Sequence, residues 1–301
     1  MFEGFEPLRV KTGDEEINLV RGGSGPPLLL LHGHPQTHAI WHKVAGELAR
    51  HFTVVATDLR GYGDSGKPQG LPDHGNYAKR VMAQDQVAVM AALGHPRFQV
   101  LAHDRGARVA HRMAVDHPDR LLRLTTLDIA PTLAMYESTN LAFATQYWHW
   151  FFLIRPFPFP ETLISADPEL YLKHTIGGRS AGLAPFSAEA YAEYARCIRD
   201  PRTVHGICED YRASAGIDLE HDREDLAQGR KVACPMLALW GGRGVVGKVV
   251  DPLAEWRRVA LDVRGKALDC GHYLAEEAPE ALLAEVLPWL LEAGARGSRV
   301  L

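Results

Sequence analysis

Short apolar runs alternate with longer stretches of helical spacing through the first part of the chain. Pro27–Leu31 is apolar and ends in His32-Gly33-His34-Pro35. Phe52–Ala56 is a second β-rich run, closed by Asp58-Leu59-Arg60-Gly61-Tyr62-Gly63. Apolar residues recur at helical spacing from Tyr77 to Leu93 and stop at Gly94. Phe98–Ala102 reads as a third strand. Asp104-Arg105-Gly106-Ala107-Arg108 follows at once and opens a helix that reaches about His117-Pro118. Leu121–Leu127 reads as a fourth strand and ends at Asp128. Strands alternating with helices imply right-handed crossovers and a mainly parallel sheet. In such sheets the chemistry gathers at the carboxyl ends of the strands.

From about Thr132 to Asp218 the pattern changes. Aromatics crowd together in Tyr147-Trp148-His149-Trp150-Phe151-Phe152, then come Pro156, Pro158 and Pro160, then helical spacing around Ala188–Cys197. This stretch shows no strand pattern, which predicts a helical cap. Strand-like runs return at Met236–Trp240 and Lys266–Leu268, and an amphipathic helix over roughly Pro279–Leu291 closes the fold. The expected division is a core in two parts, 1–131 and 219–301, with a cap over 132–218. The tail Gly294–Leu301 is expected to fray.

Composition narrows the class of function. The chain has 301 residues, a formal net charge of −4 and 23% charged residues, as in an ordinary soluble enzyme. A mildly negative balance gives no reason to expect nucleic acid or a membrane surface as partner. A small anionic substrate would therefore need local positive charge. The acidic start MFEGFEPLRVKTGDEE lacks the pattern of a signal peptide, and the four cysteines show neither metal-ligand spacing nor a paired framework. A cytoplasmic enzyme with reduced thiols is the expectation.

Ala102-His103-Asp104-Arg105-Gly106 has the small-x-nucleophile-x-Gly form of a nucleophile elbow, placed where a strand turns into a helix. Its central residue is Asp104. A carboxylate attacks amides poorly but can displace a leaving group from an alkyl carbon and form an ester. The helix N-terminus favours its ionised form. Hydrolysis of that ester needs a base, and His272, preceded by Gly271 and placed just after a strand-like run, is the candidate. Asp128 directly follows the fourth strand and can orient it. Asp251 is the competing acid, although Leu239-Trp240-Gly241-Gly242-Arg243 has no Asp where that strand ends.

Arg105 and Arg108 lie three residues apart beside the nucleophile. They read either as a clamp for a substrate carboxylate or as charges paired elsewhere, Asp104 included. The loop at His34 can offer a backbone N–H to developing negative charge. His149, Trp150 and Tyr211 can either converge as neutral donors on a leaving anion or simply line an apolar pocket.

Taken together these motifs resemble the fluoroacetate (haloacetate) dehalogenases of the α/β-hydrolase superfamily. The resemblance rests on Leu28-Leu29-Leu30-Leu31-His32-Gly33, Asp58-Leu59-Arg60-Gly61-Tyr62-Gly63, His103-Asp104-Arg105-Gly106 with Arg108, Leu127-Asp128-Ile129, Tyr147-Trp148-His149-Trp150, Asp210-Tyr211-Arg212-Ala213 and Gly271-His272. It implies an α/β-hydrolase fold: a mainly parallel sheet flanked by helices, with an inserted helical cap. It implies Asp104 as nucleophile, His272 as base and Asp128 as its partner. Arg105 and Arg108 would bind the substrate carboxylate, and His149, Trp150 and Tyr211 the halide. No metal or organic cofactor is implied, and a homodimer is suggested. Three positions depart from the family pattern: His34 stands where Phe is usual, Ala102 where Gly is usual, and Gly178-Arg179 lacks the cap Trp often found there. Two other readings share the fold. An epoxide hydrolase commonly has Trp after the nucleophile, where this chain has Arg105. A non-catalytic ligand receptor predicts a broken triad.

Overall fold

The computed structural model describes residues 1–179 and 181–297. Eight strands form one sheet in the order β1-β2-β4-β3-β5-β6-β7-β8. β1 (Glu6–Thr12) and β2 (Glu15–Gly22) make an antiparallel hairpin, and β2 joins β4 (Thr53–Thr57) antiparallel. β3 (Pro27–Leu31), β5 (Phe98–His103), β6 (Leu121–Leu127), β7 (Met236–Gly241) and β8 (Val263–Leu268) run parallel to β4.

The central strands are apolar on both faces because both faces are covered. Leu29, Leu31, Val55, Val100 and Ala102 enter one core cluster. Their immediate neighbours Leu28, Leu30, Val54, Ala56 and Leu101 enter the other. The two-residue period of a strand thus feeds two cores from one continuous run.

The hairpin β1–β2 was not among the expected elements. Its two-residue turn, Gly13-Asp14, has Gly13 at φ 60°, and its outer positions are polar. β8 begins three residues earlier than expected. The last helix runs Pro279–Gly297, so the first part of the tail expected to fray is helical, and 298–301 lie outside the described residues.

Between β6 and β7 the described residues form only helices, from Thr132–Glu137 to Ile217–Gln228. Local chemistry starts several of them. Asn140, Asp167 and Ser187 each accept a backbone N–H from the first turn, at Phe143, Leu170 and Ala190. Pro168 and Pro201 occupy first-turn positions that need no donor. Helices Trp148–Leu153 and Pro201–Ala215 bring His149, Trp150 and Tyr211 into contact with the loop after β3 and the start of the helix after β5.

Candidate active site

Asp104 begins the helix Asp104–Asp116 directly after β5, at φ 47°. A left-handed backbone is costly for a non-glycine residue, and such strain gathers at functional sites. Close packing makes the turn possible. A Cβ on Gly33 would collide with the Asp104 side chain, and one on Gly106 would meet the His32 carbonyl. His32 is a structural clip: its Nδ1–H donates to Gly33 O at 2.9 Å, and its Nε2 accepts Leu59 N–H at 3.0 Å.

The two oxygens of Asp104 are not equivalent. Oδ1 accepts the His34 backbone N–H at 2.8 Å. Oδ2 lies 3.6 Å from His272 Nε2. Burial alone would raise the Asp104 pKa, but the positive charge around it, Arg179 and Arg105 included, outweighs that and holds the carboxyl well below its ordinary range.

His272 Nδ1–H donates to Asp128 Oδ2 at 2.5 Å. Asp128 follows β6 with φ 51°, and its Oδ1 accepts Gly241 N–H at 2.8 Å. Asp251, the competing acid, instead caps the helix Pro252–Val259 through Leu253 N and Ala254 N. Burial, then the Arg179 charge, pushes His272 down to about 3 and so keeps it neutral, as a base must be. Burial pushes Asp128 up to about 7. The groups facing His272 are Asp104, Asp128, His103, Arg108, Arg179 and Glu277. His103 Nε2–H donates to the His272 carbonyl at 2.9 Å, which ties the base to the elbow.

Arg105 is fully buried, and most of its donors are engaged. Its Nε and Nη2 fork onto Asp210 at 2.9 and 2.8 Å, and Nη2 also donates to Ser214. Lys79 and Tyr62 complete the pairing of Asp210. Only Arg105 Nη1 is left without a hydrogen bond. Arg108 Nη1 donates to Ala130 O and Thr132 Oγ1 at 3.1 and 2.9 Å, and its Nε makes no hydrogen bond. Neither arginine lies on the surface and neither pairs with Asp104 among the described ion pairs. Their planes cover two aromatic rings, Arg105 over Tyr211 at 4.1 Å and Arg108 over Trp150 at 4.7 Å.

Those rings belong to one cluster. The Tyr211 centroid lies 5.3 Å from His34, 5.8 Å from His149 and 6.3 Å from Trp150. His149 Nε2, Trp150 Nε1 and Tyr211 OH are all buried and make no hydrogen bond among the described residues. Buried donors are usually paired, so three unpaired ones on neighbouring rings form a candidate site for a ligand. His34 turns Nε2 to Tyr171 OH at 3.0 Å and leaves Nδ1 unpaired. Burial holds both His34 and His149 well below the ordinary imidazole value, so both are neutral donors.

Sequence reasoning missed three participants. Asp210 neutralises Arg105, Tyr171 holds His34, and Arg179 reaches the base. Arg179 Nη1–H donates to His272 Nε2 at 3.2 Å, and Nη2 donates to Tyr273 OH at 2.7 Å and His34 O at 3.0 Å. The one described group of residues spaced like metal ligands, Glu161, His205 and Glu209, lies elsewhere. Arg212 Nη1 bridges its two carboxylates at 2.6 and 2.7 Å and occupies that space. No helix is long and apolar enough to cross a membrane among the described residues.

A family model for the α/β hydrolase fold matches residues 26–202. A fluoroacetate dehalogenase from Burkholderia sp is 47% identical over 93% of this chain and 92% of its own length. A soluble epoxide hydrolase from Corynebacterium sp. (strain C12) is 36% identical over 90% of this chain and 92% of its own. A solved structure from Nostoc sp PCC 7120, assigned to the α/β hydrolases, superposes with a TM-score of 0.93 at 56% identity, covering 95% of this chain and 98% of that one.

Proposed function

The chain belongs to the α/β-hydrolase family as a relative of the fluoroacetate dehalogenases, and on that premise we propose that it hydrolyses haloacetates to glycolate and halide. The observation that supports this reading is the set of buried, unpaired donors near Asp104: His149 Nε2, Trp150 Nε1 and Tyr211 OH from the cap, and Arg105 Nη1 and Arg108 Nε from the helix that Asp104 begins. The first three suit a departing halide and the last two a substrate carboxylate.

The haloacetate carboxylate settles on Arg105 and Arg108. Asp104 Oδ2 attacks the α-carbon in line with the carbon–halogen bond, which breaks with its electron pair on the halide. The His149, Trp150 and Tyr211 donors receive that charge. The product is an ester on Asp104, and no metal is needed. His272 then takes a proton from water, whose oxygen attacks the Asp104 carbonyl carbon. The resulting oxyanion at Oδ1 keeps the His34 N–H already aimed at it. Asp128 holds the imidazolium that forms. The imidazolium returns its proton to Oδ2 as the Cγ–Oδ2 bond breaks, glycolate leaves with that oxygen, and the proton remaining on the regenerated carboxyl passes to solvent.

Halide and glycolate release from fluoro-, chloro- and bromoacetate tests this reading, and the absence of release from all three would end it. His272→Asn incubated with chloroacetate should accumulate the ester on Asp104, read by intact mass; protein that stays unmodified after long incubation would exclude the ester step. A second reading has one observation in its favour. Tyr136 OH is also unpaired, and its ring lies 5.0 Å from that of Trp150, which also contacts Tyr211. Two tyrosine hydroxyls of this kind can protonate an epoxide oxygen. Styrene oxide in the same panel, turned over while every haloacetate is spared, would favour it.

A further inference from the structure

Arg179 follows the helix Pro168–Gly177 and forms a wall between solvent and the base. Its outer side lines a surface cavity of about 520 Å³ shared with Gln146, Arg243, Lys248 and Glu277. On its inner side Nη1–H donates to His272 Nε2. The backbone is tied to the same place, since the Arg179 carbonyl accepts His272 N–H at 3.1 Å.

This contact has a chemical consequence. His272 spends Nδ1–H on Asp128, so Nε2 carries the lone pair that must take a proton from water. That lone pair is held here by a guanidinium, which cannot deprotonate and cannot act as a nucleophile. The base is therefore masked. The guanidinium has only neutral partners: two carbonyls, a phenol and the imidazole, with no carboxylate within ion-pair distance among the described residues. Arg105 is in the opposite condition, bound by the fork to Asp210. A small carboxylate arriving near Asp104 would meet Arg108 and Arg179 as the cations without carboxylate partners.

We propose that Arg179 is an anion-operated gate on the base: the substrate carboxylate draws its guanidinium off His272 Nε2, and hydrolysis of the ester proceeds only while that carboxylate is present. The proposal rests on the haloacid reading of the site and adds a residue to its substrate-binding set. The ester formed on Asp104 still carries the carboxylate, so the gate stays open through the second step. Departure of glycolate closes it. Lys248 and Arg243, the latter paired with Asp269, share the lining of the outer cavity with Glu277.

The test has one readout without turnover and one with it. The first is ¹⁵N-histidine NMR with acetate, an unreactive carboxylate, as probe. In the wild-type protein acetate should shift His272 Nε2 away from its hydrogen-bonded position. In Arg179→Leu the shifted resonance should be present from the start and acetate should leave it there. The second is discrimination between chloroacetate and neutral chloroacetamide. Arg179→Leu should lower the ratio of the two kcat/KM values on the order of a hundredfold, the loss expected for a charge-assisted contact. It should also move the acid limb of the pH profile upward, and Arg179→Lys should recover part of the ratio. An acetate-insensitive Nε2 resonance in the wild type, or equal losses on acid and amide, would overturn the gate. If Nε2 responds to acetate while no haloacetate releases halide, the gate stands and the dehalogenation reading falls. Halide release with an unresponsive Nε2 sinks the gate alone.

Discussion

Tyr211 couples two parts of the site in one side chain. Its hydroxyl is an unpaired buried donor, and its ring lies beneath the Arg105 guanidinium. A cation on the ring face makes the phenol a better donor, so its hydrogen bond should strengthen as negative charge builds on the leaving atom. Tyr211→Phe keeps the ring and removes the donor. We expect kcat for chloroacetate to fall on the order of a hundredfold and further for fluoroacetate, whose leaving group needs the most help; equal rates for variant and wild type would remove Tyr211 from the halide site. Residues of this kind differ in how visible they are along the chain. Asp104, His272 and Asp128 each sit at a strand end with a local signature, so strand pattern and glycine spacing single them out. Asp210 and Arg179 have no such signature. Asp210 reaches Arg105 across 105 positions, and Arg179 reaches His272 across 93. Nothing in either neighbourhood announces a partner that distant. His34, noticed as a departure from the family pattern, is anchored by Tyr171, whose own segment reads only as helix.

At the level of elements, the nucleophile depends on how closely β3 and the helix after β5 approach. Gly33 lies against Asp104 with no room for a methyl group, and Gly106 lies against the carbonyl of His32. Gly33→Ala should therefore displace Asp104 from the His34 N–H and abolish most activity while costing about 1–3 kcal/mol of stability, as overpacking does. Denaturant midpoints and halide release check the two parts; an active variant of unchanged stability would show that the loop yields. β3, β5 and β6 were legible because they are buried on both faces and read as continuous apolar runs bounded by glycine or aspartate. The β1–β2 hairpin was not. It forms the sheet edge, half its positions face water, and its pattern of Leu8, Val10, Ile17 and Leu19 is diluted by charge. The Gly13-Asp14 turn between them was the available signal.

Across the whole molecule, buried imidazoles set how stability responds to acid. Burial leads the causes that hold His32, His34, His103, His111, His149 and His272 below the free value of 6.5, with His103, His111 and His272 at about 3. Unfolding returns each to the higher value, so the unfolded chain binds more protons below 6.5 and acid favours it. Asp128, Asp222 and Glu276 oppose this. Burial raises them to about 7, about 6 and about 7, so they stabilise the fold at low pH and lose that contribution as pH rises through those values. His38 is raised as well, by Asp58, and acts in the same sense as those three. Six imidazoles outnumber these four groups. Urea midpoints should therefore drop steadily between about pH 6.5 and 4.5, and a flat or rising midpoint over that range would show that these histidines are not held neutral. Charge balance along the chain could not reveal this, because composition counts a histidine without saying whether it is buried.

Under the proposed ester mechanism, the unequal footing of the two Asp104 oxygens would leave on the protein an isotopic record of its last turnover. In the proposed reaction Oδ2 would depart in glycolate and the oxygen of water would replace it, while Oδ1 would stay on the His34 amide. In H₂¹⁸O the first glycolate released should be unlabelled and the second should carry nearly full label, because the anchored carboxylate cannot exchange its two atoms between cycles. Successive-turnover mass spectrometry reads this directly. A second glycolate with half the label would mean that the carboxylate flips between turnovers, and that the amide at His34 releases it each time.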